Sequence, residues 1–529
     1  MLLKIVKINL IEIIGVMKKD MITAEHKIIS NQDVHNASRP LVMYHDRSQQ
    51  QVSKWAILVL AAMAGFMTTL DSSIVNIGLP SISRTFHVGV SGATEWIIIG
   101  YLVVIAAVLL TFGRLADMIG RKPIFMIGLV IFILGSMLCG LAPSLLFLII
   151  ARLFQGIGGA LIFSVNVAMI TSTFPPDERG LALGLNSVVV SLGVAAGPTI
   201  GGIITQYLTW RWIFYVNVPV SIITLLAALY FYREQRGRTV KKEQFDPLGA
   251  ITLAIGLAAL TLALSFGQEW GWFSLATLGT LATSAIILSI AVYVESHITH
   301  PVINLKLLAN RVFAFANISF MLCMMALFAP GFLLPFYFEQ LRGFSTIQTG
   351  LLLTPLPLTL ALVAPLSGSL ADRKGSRWLS PVGLAIACFG LFLLSQLNAH
   401  SSIWDIAWRL AVTGLGQGLF QSPNTRTMMS AAPLHAQGEA SGILATGRVI
   451  GQSLSVALTG TVFAALGGSV AGTLLTSPQA QSFSAAHTAM LQQTFVSGFH
   501  AALLVCAAFA ALGIFTALAR GDERAMKRS

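Results

Sequence analysis

The sequence predicts an all-α polytopic membrane protein, built from two six-helix bundles with two further helices inserted between them. Three observations lead to this prediction. Hydrophobic residues make up 55% of the 529 residues and charged residues only 10%, whereas soluble proteins average about 25% charged. Apolar runs of about 20 residues, the length that crosses a bilayer as a helix, recur along the chain. Finally, one charged turn between two such runs occurs twice.

The duplicated turn is the feature around which the two halves are arranged. Its first copy reads GRLADMIGRKP from Gly113 and its second reads GSLADRKGSR from Gly368. The aspartates of the two copies, Asp117 and Asp372, are 372 − 117 = 255 residues apart. A helix–turn–helix unit that returns far along an apolar chain indicates a structural repeat, which is how many secondary transporters are built.

We predict fourteen transmembrane helices and divide the chain into five parts. The predicted helices cover residues 55–79, 94–115, 122–141, 145–170, 182–206, 212–232, 247–267, 273–294, 312–338, 346–370, 379–397, 403–424, 438–466 and 495–519. The predicted parts are a cytoplasmic tail (1–54), an N-terminal bundle (55–232), a linker with two extra helices (233–311), a C-terminal bundle (312–519) and a second cytoplasmic tail (520–529).

The positions of the basic residues predict the orientation in the membrane. Lys and Arg are concentrated in alternate loops, and such loops face the cytoplasm. The loops on the other side carry only Arg84, Arg211 and Arg342. An even number of helices then places both termini in the cytoplasm, as in a multi-pass protein of the inner membrane. The net charge of +12 is explained by this topology, and we predict no nucleic-acid partner.

The N-terminal segment and the cysteines predict little chemistry. Residues 1–20 are too charged for a cleavable signal peptide or a spanning helix. They are either an interfacial helix or a dispensable tail, with Met21 or Met43 as the alternative start. All four cysteines lie in apolar runs without metal-ligand spacing and are interpreted as packing residues: Cys139, Cys323, Cys388 and Cys506.

Two opposite charges within apolar helices are the main functional candidates. Charged side chains in the hydrocarbon cost about 3 kcal/mol or more, so they mark functional sites by default. Asp71 lies about 12 Å from the outer end of its helix and Arg152 about 10 Å, at ~1.5 Å per residue. We expect both to face one polar cavity, paired directly or through substrate or water, and to couple transport to protons. The alternative is a static ion pair that joins two helices.

Other polar residues in the helices form a second group of candidates. Arg448 is the next buried base, and Glu95 and Glu439 lie near helix ends. Glu339 follows an aromatic run at an outer mouth, where it can meet a cationic substrate. Each polar residue can instead form an interhelical hydrogen bond. The predicted substrate-cavity residues are Asn76, Gln155, Asn166, Glu339, Gln417 and Gln421.

Two motifs are predicted to control conformational change. In the duplicated turn, charges can pair across the inner face in one conformation and separate in the other. In the fifth predicted helix, closely spaced glycines and a proline favour close helix contact and a bend. The gating-loop candidates are Gly113, Arg114, Asp117, Gly120, Arg121, Lys122, Asp372 and Arg373. The helix 5 candidates are Gly193, Gly197, Pro198, Gly201 and Gly202.

Signatures of enzymes are absent from the sequence. We find no phosphate-binding loop outside a membrane span, no H-E-x-x-H metal site and no nucleophile elbow with partners. We therefore predict no catalytic residue, metal or cofactor. Transport would then use an ion gradient rather than built-in ATP hydrolysis.

Five segments together resemble a known family. They are the turn at 113–123, LDSSIVNIGLP from Leu70, RLFQGIGG from Arg152, the glycine motif at 193–202, and WRWIFYVNVP from Trp210. The last was also interpreted as an interfacial aromatic belt. Over about residues 52–520, the chain resembles the major facilitator superfamily, and within it the fourteen-helix drug:proton antiporters of the EmrB/QacA type.

The resemblance implies a multidrug efflux transporter that exports amphipathic or cationic small molecules in exchange for protons by alternating access. It implies coupling roles for Asp71 and Arg152, an antiport role for the helix 5 motif and a gating role for the charged loop. Some relatives in two-membrane bacteria work with an adaptor and an outer-membrane channel. The alternatives are a dedicated proton-coupled exporter of an endogenous metabolite and a non-transport receptor or scaffold. The 31 Phe residues and scarce intramembrane charge favour a nonselective apolar cavity.

Overall fold

The computed structural model shows a chain whose regular secondary structure is entirely helical in the described part. Several predicted features lie outside that part: the tail up to residue 46, Glu95, residues 233–245 and 299–304 of the linker, and residues 521–529 of the C-terminal tail. The described residues are 47–86, 96–232, 246–298, 305–433 and 436–520.

The first eight predicted spans each coincide with a helix or with two consecutive helices. They are α1 (Arg47–Phe86), α2 (Trp96–Ile119), α3 (Arg121–Leu141), α4 (Leu145–Thr173), α5 (Arg179–Tyr207), α6 (Trp212–Tyr215 and Asn217–Phe231), α7 (Pro247–Trp270) and α8 (Leu275–His297). We call α1–α6 the N-terminal half.

The last six predicted spans are matched in the same way, and we call α9–α14 the C-terminal half. Prolines mark the breaks within α9 and α10, because proline cannot donate the helical hydrogen bond. The helices are α9 (Arg311–Leu327 and Ala329–Phe336, ending in the π turn Tyr337–Leu341), α10 (Thr346–Leu353 and Pro355–Lys374), α11 (Leu379–Leu394), α12 (Ile403–Ala431), α13 (Gln437–Ala465) and α14 (Ala485–Ala519). Shorter helices are Leu305–Ala309, Gly468–Leu475 and the 3₁₀ turn Pro478–Ser482.

Not every one of these helices is long and apolar enough to be recognised as a membrane span. Among the described residues, 11 helices are, or 12 when α13 is joined to the bent helix that follows it. The two remaining helices, α11 and α12, are not recognised as membrane spans for separate reasons. α11 has only 16 residues, and α12 carries polar side chains such as Arg409, Gln417 and Arg426. The protein is thus a polytopic membrane protein, and the count of fourteen spans remains a prediction.

The repeat extends to the backbone of the two charged turns. Gly120, directly before α3, has a φ of 105°, and Gly375, directly after α10, has a φ of 87°. Glycine is the residue that adopts such positive φ values without strain. The two glycines are 375 − 120 = 255 residues apart, the same offset as the two aspartates. The same turn therefore reverses the chain in both halves.

The halves contact each other most extensively along two pairs of helices. α2 packs along α13, and α5 packs along α10. The backbones approach closely because small residues lie between them: a Cβ on Gly113 would meet the Gly438 carbonyl, and a Cβ on Gly184 would meet Ala364 and Pro365. The inserted helix α7 packs against both α2 and α13, and α8 packs against α7. The inserted pair therefore lies beside one of the two seams between the halves.

Candidate functional site

The structure brings Asp71 of α1 and Arg152 of α4 into direct contact. The Arg152 Nη1 atom donates a hydrogen bond to Asp71 Oδ2 at 2.6 Å. Both side chains are completely buried, with a relative exposure of 0%. The direct pairing that the sequence predicted is therefore present, and neither side chain is among those that line the cavity described below. Asp71 and Arg152 can meet because they lie at similar depths in their helices, as predicted.

Asp71 is held by three side chains from two helices, Arg152 and Gln155 of α4 and Asn217 of α6. Besides Arg152, its Oδ1 atom accepts hydrogen bonds from Gln155 Nε2 at 3.1 Å and from Asn217 Nδ2 of α6 at 2.7 Å. Gln155 also donates to Ser136 of α3. Gln155, predicted to line a substrate cavity, is instead part of this network and is completely buried. The arrangement fits an ionised carboxylate, because every contact donates a hydrogen bond to it.

Arg152 has two aromatic rings beside it and one amino group without a partner. Its Nε donates to the Ile97 carbonyl at 3.0 Å. Its guanidinium carbon lies 4.3 Å from the Tyr101 ring centre and 5.6 Å from that of Phe214, which is cation–π geometry. Its Nη2 is buried and has no hydrogen-bond partner among the described residues. Removal of one member of such a buried pair leaves an uncompensated charge and costs about 3–5 kcal/mol.

The segment interpreted as an aromatic belt has a different role in the structure. Trp212 is 49% exposed, as expected for an interfacial residue, but Trp210 and Phe214 are buried. This segment delivers the Phe214 ring to Arg152 and, one turn later, the Asn217 amide to Asp71. Sequence reasoning missed Asn217, although an amide within an apolar run was the available signal.

Asp117 of the first charged turn binds the opposite half. Its carboxylate oxygens accept hydrogen bonds from the backbone N–H groups of Gly438 at 3.0 Å and Glu439 at 2.9 Å. These are free N–H groups of the first turn of α13, and a carboxylate at a helix N-terminus is stabilised by the helix dipole. Arg121, which also donates to the Ala168 carbonyl, pairs with Asp117 at 3.4 Å. The turn thus caps a helix of the C-terminal half.

Asp372 of the second turn makes the equivalent contact from the C-terminal half to a helix of the N-terminal half. It accepts hydrogen bonds from the backbone N–H groups of Gly180 at 3.0 Å and Leu181 at 3.1 Å, in the first turn of α5. Arg426 of α12 donates to the same carboxylate at 2.7 Å. We call these two caps the inner clamp: Asp117 on α13 and Asp372 on α5. Each half caps a helix of the other at the side predicted to face the cytoplasm.

The other residues of the charged turns surround the inner clamp. Gly113 allows the close approach of α2 and α13 described above, and Gly120 forms the turn itself. Arg114 and Lys122 are partly buried, whereas Arg373 is exposed at the end of α10.

The glycine motif of α5 lies against α1 through two of its members. A Cβ on Gly193 would meet Thr69 and the Phe66 carbonyl, and a Cβ on Gly197 would meet Ser73. Gly202 has open space beside it, so its predicted role in close packing was wrong. Gly201 is buried. Position 198 lies within α5, but its side chain is not among those that the structure describes.

A small cavity lies between the two halves, and we call it the central cavity. Its volume is ≈ 20 Å³, which holds about one water molecule and is far below the ~300 Å³ of a typical ligand site. Residues of α1, α4 and α5 meet residues of α13 there. Its lining consists of Gly65, Phe163, Asn166, Val167, Asn186, Val190, Ala445 and Arg448.

Of the predicted substrate-cavity residues, Asn166 lines the central cavity. Its Nδ2 donates to the Ala61 carbonyl at 2.6 Å, and its Oδ1 accepts from Asn186 Nδ2 at 3.2 Å. Glu339 lies in the π turn at the end of α9, and Gln417 and Gln421 lie on α12 outside the lining. The side chain at position 76 is not described. Sequence reasoning identified Arg448 as a buried base without placing it in a site.

Comparison with known proteins gives a family and a fold. The family model described as Major Facilitator Superfamily matches residues 61–456. The chain is similar to the riboflavin transporter RibZ of Clostridioides difficile (33% identity, 78% of this chain and 88% of that protein). It is also similar to the multidrug resistance protein Stp of Mycobacterium tuberculosis (33% identity, 77% of this chain and 75% of that protein).

Among solved structures, the chain is similar to the proton:xylose symporter XylE. The TM-score is 0.55, the sequence identity is 14%, and the match covers 88% of this chain and 95% of that structure. At this identity the match shows the fold alone.

Proposed function

The chain belongs to the major facilitator superfamily, and we propose that it is a proton-coupled exporter of amphipathic small molecules that works by alternating access of its two halves. Membership of this family makes it a transporter rather than an enzyme. The further proposals are that it lies in the cytoplasmic membrane with both termini inside, and that protons are the coupling ion.

The buried ion pair carries the proposal. Asp71 is a carboxylate without exposure, and its partner Arg152 is equally buried. Protonation of Asp71 removes the charge that compensates Arg152 and weakens the bonds from Asn217 and Gln155. The stability of the N-terminal half therefore depends on whether Asp71 carries a proton. A transporter that gains and loses that proton on opposite sides of the membrane couples its conformation to the proton gradient.

The inner clamp supplies the two-state element that alternating access needs. Asp117 and Asp372 cap helices of the opposite halves, and these caps must break for the inner side to open. The glycine contacts between α5 and α1 link the clamped helix to the helix that carries Asp71. A proton on Asp71 can therefore change the stability of the clamp through α1 and α5.

Everted membrane vesicles test this function. We expect energised vesicles to accumulate a fluorescent amphipathic compound such as a dansyl derivative, and a protonophore to abolish the accumulation. Asp71→Asn should reduce the accumulation about tenfold or more. Asp405→Asn is the matched control, because Asp405 also pairs with an arginine, at 2.9 Å, but is 29% exposed. Full proton-driven accumulation in Asp71→Asn would refute the coupling role.

A dedicated exporter of one endogenous metabolite remains a second candidate. The similarity to a protein named as a riboflavin transporter supports it, as the similarity to a multidrug resistance protein supports the first. Accumulation of a single metabolite, with no accumulation of unrelated amphipathic compounds, would favour the dedicated exporter.

A further inference from the structure

Arg448 lies at the centre of the seam between the halves. It is 448 − 437 = 11 residues into α13, or about 17 Å at ~1.5 Å per residue. It lines the central cavity from the C-terminal half, opposite Asn166 and Asn186 of the N-terminal half. Residues of α1, α4, α5 and α13 meet at this cavity, so Arg448 lies where the N-terminal half faces the C-terminal half.

The charge of Arg448 is not compensated by the described residues. No carboxylate among them lies within the 4.0 Å of a salt bridge, and Nε is buried without a hydrogen-bond partner. Its contact is with the Phe320 ring, whose centre is 5.8 Å from the guanidinium carbon. Arg152, in contrast, has Asp71 at 2.6 Å. An unpaired cation inside a membrane protein is costly, and such residues mark ion and substrate pathways.

A second unsatisfied group points into the same cavity. Asn186 is 7% exposed, lines the cavity, and has a buried Oδ1 without a partner in the described part of the chain. Its Nδ2 donates to Asn166 Oδ1, and Asn166 Nδ2 donates in turn to the Ala61 carbonyl, so these bonds fix the orientation of both amides. The remaining lining is apolar, from Phe163, Val167 and Val190. The cavity therefore combines apolar walls with one guanidinium and two asparagine amides.

We propose that Arg448 is the anchor of the substrate site and that the preferred substrates are amphipathic organic anions, with an apolar body and a planar carboxylate or sulfonate. Arginine binds planar oxyanions through two parallel hydrogen bonds. A cationic substrate would meet a like charge at this place, and no carboxylate of the described residues pairs with Arg448 to offset that charge. This proposal rests on the export function proposed above, and it replaces the expectation of cationic substrates.

Anion binding also explains how the seam closes. With the site empty, closing the halves buries the Arg448 charge without a counter-ion. With an anion bound, the charge is neutralised and the closed arrangement becomes less costly. The halves would then close more readily around a bound anion than around an empty site.

The test uses three dansyl compounds that share one fluorophore and differ in charge: dansylglycine (anion), its amide (neutral) and dansylcadaverine (cation). Binding to the full-length protein in nanodiscs is measured by fluorescence, with empty nanodiscs subtracted. We expect dansylglycine to bind about tenfold or more tightly than dansylcadaverine. Arg448→Gln should abolish this preference and Arg448→Lys should retain part of it. Arg311→Gln, an exposed arginine on α9, changes the net charge equally and should leave the preference intact.

Two results would overturn the proposal: tighter binding of the cation by the wild-type protein, or an unchanged preference in Arg448→Gln. If Arg448→Gln does not fold, the wild-type series and Arg448→Lys still decide. The measurement is independent of proton coupling, because it is made without a gradient. An intact charge preference without proton exchange would refute the proposed function alone, and proton-driven export of the cation that does not depend on Arg448 would refute this inference alone.

Discussion

Neutralising one aspartate of the inner clamp should shift the protein towards conformations with an open inner side. In Asp117→Asn, the carboxylate that accepts from Gly438 and Glu439 at 3.0 and 2.9 Å becomes an amide with one acceptor oxygen. The loss of a charged cap costs about 1 kcal/mol. That corresponds to about a fivefold change in the ratio of clamped to open molecules. Asp372→Asn should have the same effect, because it removes the equivalent contacts to Gly180 and Leu181.

The two changes should add in the double variant. The caps lie on different helices, α13 and α5, and share no hydrogen-bond partner, so their free energies should be independent. We expect a total of about 2 kcal/mol and a shift of roughly 30-fold. Smaller-than-additive effects would mean that opening one cap already opens the other.

Spin-label distances between the halves provide the assay. Labels at positions 119 and 374, both exposed at the inner ends of α2 and α10, report the separation of the two halves by double electron–electron resonance. The variants should populate longer distances than the wild type. Asp177→Asn is the control, because Asp177 is exposed between α4 and α5 and is outside the clamp. A distance distribution that is unchanged in the Asp117→Asn and Asp372→Asn double variant would refute the reasoning.

Three further predictions concern the network and the helix contacts. Arg152→Gln should lower the free energy of unfolding, measured by chemical denaturation, by about 3–5 kcal/mol. The Arg152→Gln, Asp71→Asn double variant should recover part of this loss, because no unpaired charge remains. A loss in the double variant equal to the sum of the two single losses would contradict this prediction. Asn217→Ala should reduce proton exchange several-fold in a flux assay, because one of the three donors to Asp71 is lost; unchanged flux would exclude a role for Asn217. Gly197→Val should lower the free energy of unfolding by about 1–3 kcal/mol, because the new side chain would overlap with Ser73. Gly202→Ala should leave the free energy of unfolding unchanged, because Gly202 has open space beside it. Equal melting temperatures for these two variants would rule out the contact.

The sequence predicted the framework because its signals are periodic and strong. Long apolar runs gave the helices, the repeated turn around Asp117 and Asp372 gave the two halves, and similar depth gave the meeting of Asp71 and Arg152. Depth follows from counting residues at 1.5 Å each. These predictions need no knowledge of which way a helix faces.

What the sequence could not predict depends on the rotation of each helix about its axis. In helices that are apolar on every side, no hydrophobic stripe indicates the buried face. Gln155 was therefore expected in a cavity but lies in the ion-pair network, and Asn217 was missed. The backbone partners of Asp117 and Asp372 lie more than 190 residues away in the sequence. No local sequence pattern predicts that a carboxylate caps a helix of the opposite half.

The most direct test of the account is proton release from vesicles containing the purified protein. A transportable amphipathic compound is added outside vesicles under a proton gradient, and the pH change is compared between wild type, Asp71→Asn and Asp405→Asn. We predict compound-triggered proton movement in the wild type and in Asp405→Asn, and its loss in Asp71→Asn. Proton movement of wild-type size in Asp71→Asn would contradict the central claim that the buried Asp71–Arg152 pair couples transport to protons.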